Sequence, residues 1–261
     1  MSQKLSFWGV QMILGDYHTH TVFSHGKDQI IDNVVAAKNA GLKEVAISDH
    51  GLGHIAFGVR RKEIAEMRRQ IDEAQKQNSE VRVLFGIEAN LRSFDGSIDM
   101  HPHEDGYFDV VLAGYHKFIW AKNVKESFTY VLGSMWRNKF GYSQKYFQKY
   151  TDAYVKAIKS GRIDVITHLN YGVKTDVKQV AQAAKDYGVI LELNGKRISM
   201  TDEEVMEIVN IGPKLIVNSD AHSKERVGDF EVPMSLVDRL GIDKKLIVNW
   251  NDLPKFKNKK R

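Results

Sequence analysis

Seven of the ten histidines in this 261-residue chain stand, together with three acids, where apolar stretches of sequence end. In chain order these residues are His18, His20, His25, Asp49, His50, Glu88, His116, His168, Asp220 and His222. Neutral imidazole and carboxylate are the usual protein ligands of zinc, manganese and iron. Because the groups are spread over most of the chain, the pattern predicts one site for several metal ions, assembled by folding from distant segments.

The spacing within two of the groups suits a shared ion. His18 and His20 are two residues apart, and on an extended strand such residues point to the same side. Asp220 and His222 repeat that spacing near the other end of the chain. An isolated histidine is more often satisfied by an ordinary hydrogen bond. Two such pairs, together with acids that need partners once buried, favour metal binding instead.

Short apolar runs alternate with helical patterns along the chain. The predicted strands are Met12–Tyr17, Glu44–Ser48, Val81–Ile87, Phe108–Tyr115, Ile163–Thr167, Val189–Leu193 and Lys214–Asn218. The predicted helices are Asp32–Ala40, Arg60–Gln77, Val177–Tyr187, Asp202–Ile211 and Pro233–Leu240, with one or two more within residues 123–160. This alternation indicates a parallel sheet with helical crossovers. Since polar groups follow nearly every strand, a closed barrel is favoured over an open sheet with a single switch point.

Composition indicates one globular domain over residues 1–261, with a core at about 13–240. Hydrophobic residues make up 43% and charged residues 27%, which excludes a disordered chain. The absence of cysteine excludes disulfides and thiolate metal sites. The first ten residues lack the basic and apolar regions of a signal peptide, and no apolar run approaches the ~20 residues of a membrane span. We therefore expect a cytoplasmic protein without a membrane partner.

The net charge of +5 is modest, and part of it comes from the basic tail at residues 255–261. We expect this tail to be solvated, as chain ends usually are. Contact between the tail and nucleic acid is the less favoured interpretation, because no aromatic residues are spread through a basic patch as stacking platforms.

The motifs resemble those of the PHP family, named for polymerase and histidinol phosphatase. The matching stretches are Asp16-Tyr17-His18-Thr19-His20 followed by His25, Ile47-Ser48-Asp49-His50-Gly51, Gly86-Ile87-Glu88, Gly114-Tyr115-His116, Thr167-His168 and Ser219-Asp220-Ala221-His222. Each motif alone is a weak signal, but all of them in this order, over residues 13 to about 230, are specific. The resemblance implies a single-domain, distorted seven-stranded β/α barrel, in agreement with the strand pattern.

The resemblance also implies that the site binds two or three divalent ions, which would be zinc, manganese or iron. Carried over by motif, the ligands are His18, His20, Glu88 and Asp220 for the first ion, Glu88, His116 and His168 for the second, and His25, His50 and His222 for the third. Asp49 does not carry over as a ligand, and we interpret it as an acceptor that orients a neighbouring imidazole. Asp49, His50, Glu88 and His222 are the residues predicted to lie nearest the chemistry.

Clustered cations lower the pKa of a bound water and neutralise phosphate oxygens, so the expected reaction is phosphoester hydrolysis by a metal-activated hydroxide. A phosphatase acting on a small phosphorylated metabolite is the favoured function, with histidinol phosphate as the named candidate. The alternatives are a phosphodiesterase or exonuclease acting on nucleic acid, and a non-catalytic, metal-stabilised binding module. The complete ligand set disfavours the binding module, and the slight basic bias disfavours nucleic acid.

Candidate substrate contacts lie just after the predicted strands. They are Lys117, Lys196, Arg197, His54 and Arg60, with Arg197 favoured because it closely follows a strand end. Histidinol phosphate carries a cationic amine, so its enzyme should offer further acids, for which Asp95, Glu104 and Asp105 are candidates. The histidines at positions 101 and 103 fall in a loop and are expected at the surface. The aromatic stretch at 118–150 is expected to be a helical covering of the barrel.

Overall fold

The computed structural model describes residues 13–257 and contains one sheet of seven parallel strands. The strands are β1 (Gly15–Asp16), β2 (Glu44–Ile47), β3 (Arg82–Asn90), β4 (Val110–Gly114), β5 (Val165–Ile166), β6 (Ile190–Asn194) and β7 (Leu215–Asn218). Strands that are neighbours in the chain are also neighbours in the sheet, from β1 to β7. The predicted seven-stranded α/β barrel is therefore confirmed, and the carboxyl ends of all seven strands meet at one mouth.

Eight α-helices connect and cover the strands within these residues. They are α1 (Ile30–Asn39), α2 (Ile64–Gln77), α3 (Val124–Glu126), α4 (Gly133–Phe140), α5 (Gln144–Lys159), α6 (Val177–Tyr187), α7 (Asp202–Ile211) and α8 (Glu231–Leu240). A π-helical turn, Ser127–Leu132, joins α3 to α4. At the start of α7 the Thr201 hydroxyl accepts from the Glu204 N–H, which stops the helix from fraying. Between residues 13 and 257, no helix has the length and apolar character needed to cross a bilayer.

The barrel is nearly closed between β7 and β1. At the carboxyl ends, Thr19 pairs in parallel with Ala221, and the His20 N–H donates to the Ala221 carbonyl at 2.8 Å. At the amino ends, the Asn249 side chain donates to the carbonyls of Gly15 at 2.9 Å and Val217 at 2.7 Å. The regular part of β1 is shorter than the predicted Met12–Tyr17, and Met12 itself lies outside the described residues.

The inside of the barrel is apolar at its base and polar at its mouth. The apolar residues are Tyr17, Ala46, Leu84, Val110, Leu112, Val165, Ile190 and Ile216. Because strand side chains alternate between faces, Glu88 shares the inward face of β3 with Leu84, and Glu192 shares that of β6 with Ile190. Glu88 and Glu192 thus lie on the same strands as the packed apolar residues, and this packing fixes the direction of their side chains.

The C-terminal segment closes the amino-terminal end of this interior, where the sequence predicts a solvated tail. Phe256 is only 6% exposed, and its ring packs edge-on against Tyr17 with centroids 5.0 Å apart. The Lys257 N–H donates to the Asp164 carboxylate at 2.9 Å. The expectation of a solvated tail is therefore wrong for Phe256, although Lys257 itself is exposed, and the core extends beyond residue 240. Residues 258–261 of the tail lie outside the described part of the chain.

Removing the Phe256 ring should weaken the whole barrel. We expect Phe256→Ala to lower the free energy of unfolding by about 3 kcal/mol, because the ring is buried and leaves a cavity under Tyr17. Denaturant unfolding followed by circular dichroism measures this change. Phe140→Ala is the control, since its ring is 61% exposed and its loss should change the free energy by roughly 0.5 kcal/mol or less. Equal effects of the two substitutions would contradict a structural role for the C-terminal segment.

Candidate metal centre

The mouth of the barrel is organised around Glu88, which is completely buried at the carboxyl-terminal part of β3. Five imidazoles from other strand ends surround its carboxylate. The approaching atoms are His50 Nδ1 at 2.8 Å, His168 Nε2 at 2.9 Å, His116 Nε2 at 3.2 Å, His18 Nε2 at 3.3 Å and His20 Nε2 at 3.7 Å. One carboxylate therefore lies within reach of groups that follow β1, β2, β4 and β5.

A second acid, Asp220, lies beside the same imidazoles. Its Oδ1 atom is 3.4 Å from His20 Nε2, 3.7 Å from His18 Nε2 and 3.4 Å from His222 Nδ1. Potential ligand atoms form three groups, and within each group the atoms lie within 4.8 Å of one another. The groups are His18 with His20 and Asp220, His50 with Glu88 and His116, and His20 with His50 and His222. The clustering of these atoms is the arrangement that several neighbouring cations need.

One predicted ligand, His25, takes a less central position. The imidazole of His25 is exposed at the rim, stacked on Phe57 at 4.2 Å and 5.0 Å from the ring of His222. In the group with His50 and His222, His20 lies where the motif comparison places His25. His25 remains a predicted ligand for the third ion, but it approaches the cluster from outside.

Several buried polar atoms of the cluster lie close to one another but form no hydrogen bond of good geometry. They include His18 Nε2, His20 Nε2, His50 Nδ1 and Glu88 Oε2. Leaving a buried polar atom unpaired costs about 1–3 kcal/mol, so native proteins rarely retain several in one place without a ligand. Imidazole nitrogen and carboxylate oxygen, with no sulfur, suit zinc, manganese or iron. The side chains present therefore fit a cluster of divalent ions.

The electrostatics of the cluster favour ionised acids and mostly neutral imidazoles. Burial alone would raise the pKa of Glu88, but the surrounding imidazoles outweigh burial and hold that pKa well below its usual range. Burial lowers the pKa of His20 well below its usual value. For His222, burial is again the main cause, and its pKa falls to about 4. For His18 and His168, burial would lower the pKa, but the neighbouring carboxylates outweigh burial and raise it. Deprotonated groups are the ones that bind cations, so His18 and His168 must release a proton when an ion binds, and the other groups are already in the binding form.

Backbone strain is also located at this mouth. His168 and Asp220 have positive φ angles of 28° and 53°, which residues with a Cβ rarely adopt. Such conformations cost about 1–3 kcal/mol each and persist where the surrounding structure holds them, typically at functional sites. The His168 N–H donates to Glu192 at 2.9 Å, and the Asp220 carboxylate accepts from Asn194 at 3.1 Å. These bonds hold both side chains towards the cluster.

The PHP domain family model matches residues 16–203. The chain belongs to this family. It is 30% identical over 249 residues to a protein of Shewanella sp. (strain W3-18-1) named "Probable phosphatase", across 90% of this chain and 86% of that one. It is 29% identical over 252 residues to a protein of the same description from Vibrio parahaemolyticus, across 90% and 89% of the two chains.

Among solved structures, the PHP domain is similar to the histidinol phosphate phosphatase of Lactococcus lactis, determined with zinc, L-histidinol and phosphate. The TM-score is 0.57 at 14% sequence identity, covering 88% of this chain and 94% of that one. At this level of identity the likeness shows a shared fold.

Glu192 is a central residue of the PHP site that the sequence analysis missed. It is 2% exposed, and its carboxylate accepts from His18 Nδ1 at 2.7 Å, from the His168 N–H at 2.9 Å and from Asn218 Nδ2 at 3.0 Å. A proton on His18 Nδ1 leaves the lone pair of Nε2 facing the cluster. A glutamate at an inward position within an apolar strand is the signal that would have revealed it.

Replacing Glu192 should weaken metal binding without removing a ligand. In Glu192→Gln the new NH₂ group would face donors from His18, His168 or Asn218, so the imidazole of His18 would lose its fixed orientation. We expect the affinity for the ion bound by His18 to fall about 10- to 100-fold. Activity measured against added metal should recover at high metal concentration. Glu203→Gln, at an exposed position on α7, is the control, and a variant with unchanged metal dependence would exclude this positioning role.

The predicted role of Asp49 requires a correction. Its carboxylate accepts from the Thr21 N–H and hydroxyl, both at 2.6 Å, and from the Ser24 hydroxyl at 2.5 Å. Asp49 thus stabilises the turn that follows His20, and it reaches an imidazole only through Ser24, whose Oγ lies 3.5 Å from His20 Nδ1. Orientation of an imidazole is the role of Glu192 at His18.

The cavity at the mouth brings together most of the predicted substrate contacts. Its lining includes His54, Lys117, Lys196 and Arg197, together with Phe57, Phe118, Tyr171, Asn194 and Ser199. Arg60 is not among the lining residues, because it is exposed and caps the helical turn before α2, where its N–H donates to Glu63. The prediction that Arg60 contacts substrate therefore has no support from this geometry.

The acids expected for a cationic substrate are paired elsewhere. Glu104 accepts from Arg61 at 2.6 Å, Asp105 from Arg162 at 2.6 Å, and Asp95 pairs with Lys122. None of them lines the cavity at the mouth. That expectation is wrong, since each of these acids fastens one surface segment to another.

Proposed function

We propose that this PHP domain is a metal-dependent phosphatase that hydrolyses a phosphate monoester of a small metabolite. The proposal depends on the cluster of buried imidazole and carboxylate atoms around Glu88, several of which lack a well-formed hydrogen bond. This cluster opens into a cavity with cationic side chains. The description of its relatives as "Probable phosphatase" supports the same class of reaction. A monoester carries about two negative charges at neutral pH, more than a diester, and therefore gains more from a cationic mouth.

The proposed ligands would bind three ions. His18, His20, Glu88 and Asp220 would hold one ion, and Glu88 with His116 and His168 a second, while His50 and His222 would complete a third with His25 or His20. When bound, such ions supply positive charge for the phosphate oxygens and lower the pKa of a water. Asp49 and Glu192 would keep the turns and rings of these ligands in place.

Two further side chains are positioned to bind the phosphate group. Lys196 Nζ lies 3.5 Å from His222 Nε2, so its charge is at the edge of the ligand cluster. Burial lowers the pKa of His54 to about 3, so its ring is neutral at neutral pH. Because His54 Nδ1 accepts from the Phe57 N–H at 3.1 Å, the proton of the neutral ring lies on Nε2, which can donate to substrate.

The proposal is tested by a substrate panel on metal-stripped and reloaded protein. The substrates are p-nitrophenyl phosphate, histidinol phosphate, bis-p-nitrophenyl phosphate and single-stranded DNA, each with manganese, zinc or iron. We expect release of phosphate from at least one monoester, loss of this release on chelation and its return on reloading. Cleavage of the diester or DNA alone would replace the proposal by a phosphodiesterase. Full metal occupancy with no turnover of any substrate would favour a binding module.

A further inference from the structure

Three cationic side chains of the cavity lie close to the metal ligands without being neutralised. Lys117, Lys196 and Arg197 are all exposed in its lining. None of them forms an ion pair with a carboxylate among residues 13–257, in contrast to Arg162, which pairs with Asp105. Surface cations that have no acid nearby and face a cavity are available to bind an anion.

The only carboxylates among the described lining residues are Glu88 and Asp220. Both belong to the ligand cluster, where divalent ions would neutralise them. The cavity therefore offers no free acid to a cationic group of a substrate. A substrate with a positively charged amine would meet repulsion from Lys117, Lys196 and Arg197 without a compensating partner.

The three cations occupy two separate places. Lys196 lies beside His222, at one end of the ligand cluster, where it suits the phosphate that is hydrolysed. Arg197 stacks over Tyr171, with its guanidinium carbon 5.4 Å from the ring centroid, and that ring lies 5.2 Å from the ring of His168. The Lys117 Cε atom borders the same turn, 3.9 Å from where a side chain on Gly172 would begin. Lys117 and Arg197 thus both border the turn at Tyr171 and Gly172, whereas the recorded contact of Lys196 is with His222.

The loop that carries two of these cations is held in a fixed conformation. Asn194, at the end of β6, accepts the backbone N–H groups of Lys196 at 2.9 Å and Arg197 at 3.1 Å. The Arg226 guanidinium donates to the Gly195 carbonyl at 3.3 Å. These bonds fix the backbone that carries both side chains, so less conformational freedom is lost when an anion binds.

Building on the proposed phosphatase function, we propose that the substrate is a phosphate monoester with a second anionic group, which Lys117 and Arg197 bind beside Tyr171. Lys196 binds the phosphate that is released. The second group is a carboxylate or a further phosphate, since both accept hydrogen bonds from ammonium and guanidinium in the same way. Monoesters that carry an amine in its place, histidinol phosphate among them, are poor substrates.

The test compares monoesters that differ only in the second group, using the metal-loaded protein. One pair is 3-phosphoglycerate and glycerol 3-phosphate, which differ by a carboxylate. A second is fructose 1,6-bisphosphate and fructose 6-phosphate, which differ by a phosphate. Phosphoethanolamine and histidinol phosphate supply the cationic group. We expect kcat/KM for at least one two-anion ester to exceed that of its partner by about tenfold or more, because hydrogen bonds between charged groups are stronger than those between neutral groups.

Variants connect this preference to the proposed residues. In the double variant Lys117→Ala with Arg197→Ala, the ratio of kcat/KM within each pair should fall towards one. Lys117→Arg retains the charge and should preserve most of the ratio. Lys178→Ala is the matched control, because Lys178 lies on the surface of α6 and pairs with Glu207, so the ratio should not change.

The outcomes separate this inference from the function on which it depends. Hydrolysis of one-anion and two-anion esters at equal rates, or preference for the amine-bearing esters, would overturn the inference and leave the phosphatase proposal intact. A preference that survives in the double variant would overturn the assignment to Lys117 and Arg197. If no ester released phosphate with manganese, zinc or iron, the phosphatase proposal would fail and the inference with it.

Discussion

Glu88→Gln should remove most of the activity and most of the bound metal while the barrel stays folded. The substitution keeps the shape of the side chain but removes the charge that five imidazoles approach within 3.7 Å. As Glu88 is proposed to bridge two ions, both should bind weakly in the variant. Loss of several kcal/mol of electrostatic stabilisation corresponds to a fall in kcat/KM of about a thousandfold or more.

Elemental analysis of the purified variant, beside phosphatase kinetics and a thermal melt, measures all three expectations. Glu104→Gln is not a suitable control, because Glu104 holds Arg61 in a structural ion pair. Glu203→Gln is suitable, since Glu203 is exposed on α7. A Glu88→Gln protein with the metal content and kinetics of the unmodified chain would show that Glu88 does not bridge the ions. Excess metal should rescue Glu192→Gln but not Glu88→Gln, which distinguishes a positioning residue from a ligand.

The architecture could be predicted from the sequence because parallel strands of a barrel are buried on both faces. They therefore read as continuous apolar runs, and a histidine or acid at the end of such a run is easily seen. Glu88 after Ile87 and His116 after Tyr115 are examples, and both lie at the mouth of the barrel. The shared ends of parallel strands then make convergence of these residues a consequence of the fold.

Glu192 escaped prediction for a related physical reason. It lies inside an apolar run, so it reads as an exception within a strand and not as the end of one. Its importance depends on partners from two other strand ends, His18 and His168, which only the folded chain brings within 2.9 Å. The division of roles between His20 and His25 was equally inaccessible, because it depends on the turn that Asp49 stabilises through Thr21.

The C-terminal segment shows the limits of composition as a guide. Four lysines and an arginine among residues 255–261 predict a solvated tail, yet Phe256 in their midst is buried while Lys255 and Lys257 stay exposed. Phe256 packs into the amino-terminal end of the barrel interior. The Asn249 side chain donates hydrogen bonds to backbone carbonyls of β1 and β7, where the short β1 leaves them without a strand partner. Such long-range complementarity has no local signature in the sequence.

His116→Ala should remove one ion and most activity while leaving the fold intact. His116 Nε2 lies 3.2 Å from Glu88 Oε1, and its ring meets that of His168 edge-on with centroids 5.1 Å apart. The ion proposed to lie between Glu88, His116 and His168 would lose one of three protein ligands. We expect kcat/KM to fall about 100- to 1,000-fold, and the metal content to decrease by less than in Glu88→Gln, because His18, His20 and Asp220 retain their ion.

The melting temperature of the variant distinguishes the loss of a metal ligand from a general loss of folding stability. His116 lies at the mouth of the barrel, so its removal opens space that water can fill, and the melting temperature of the metal-free protein should change little. His101→Ala is the matched control, since the His101 ring lies on the surface, stacked on His103 at 5.5 Å, and its loss should alter neither metal content nor kinetics. Normal kinetics in His116→Ala would make the assignment of His116 wrong. A folded variant that has lost a single ion and its turnover together would locate the reaction at the ion shared by Glu88, His116 and His168.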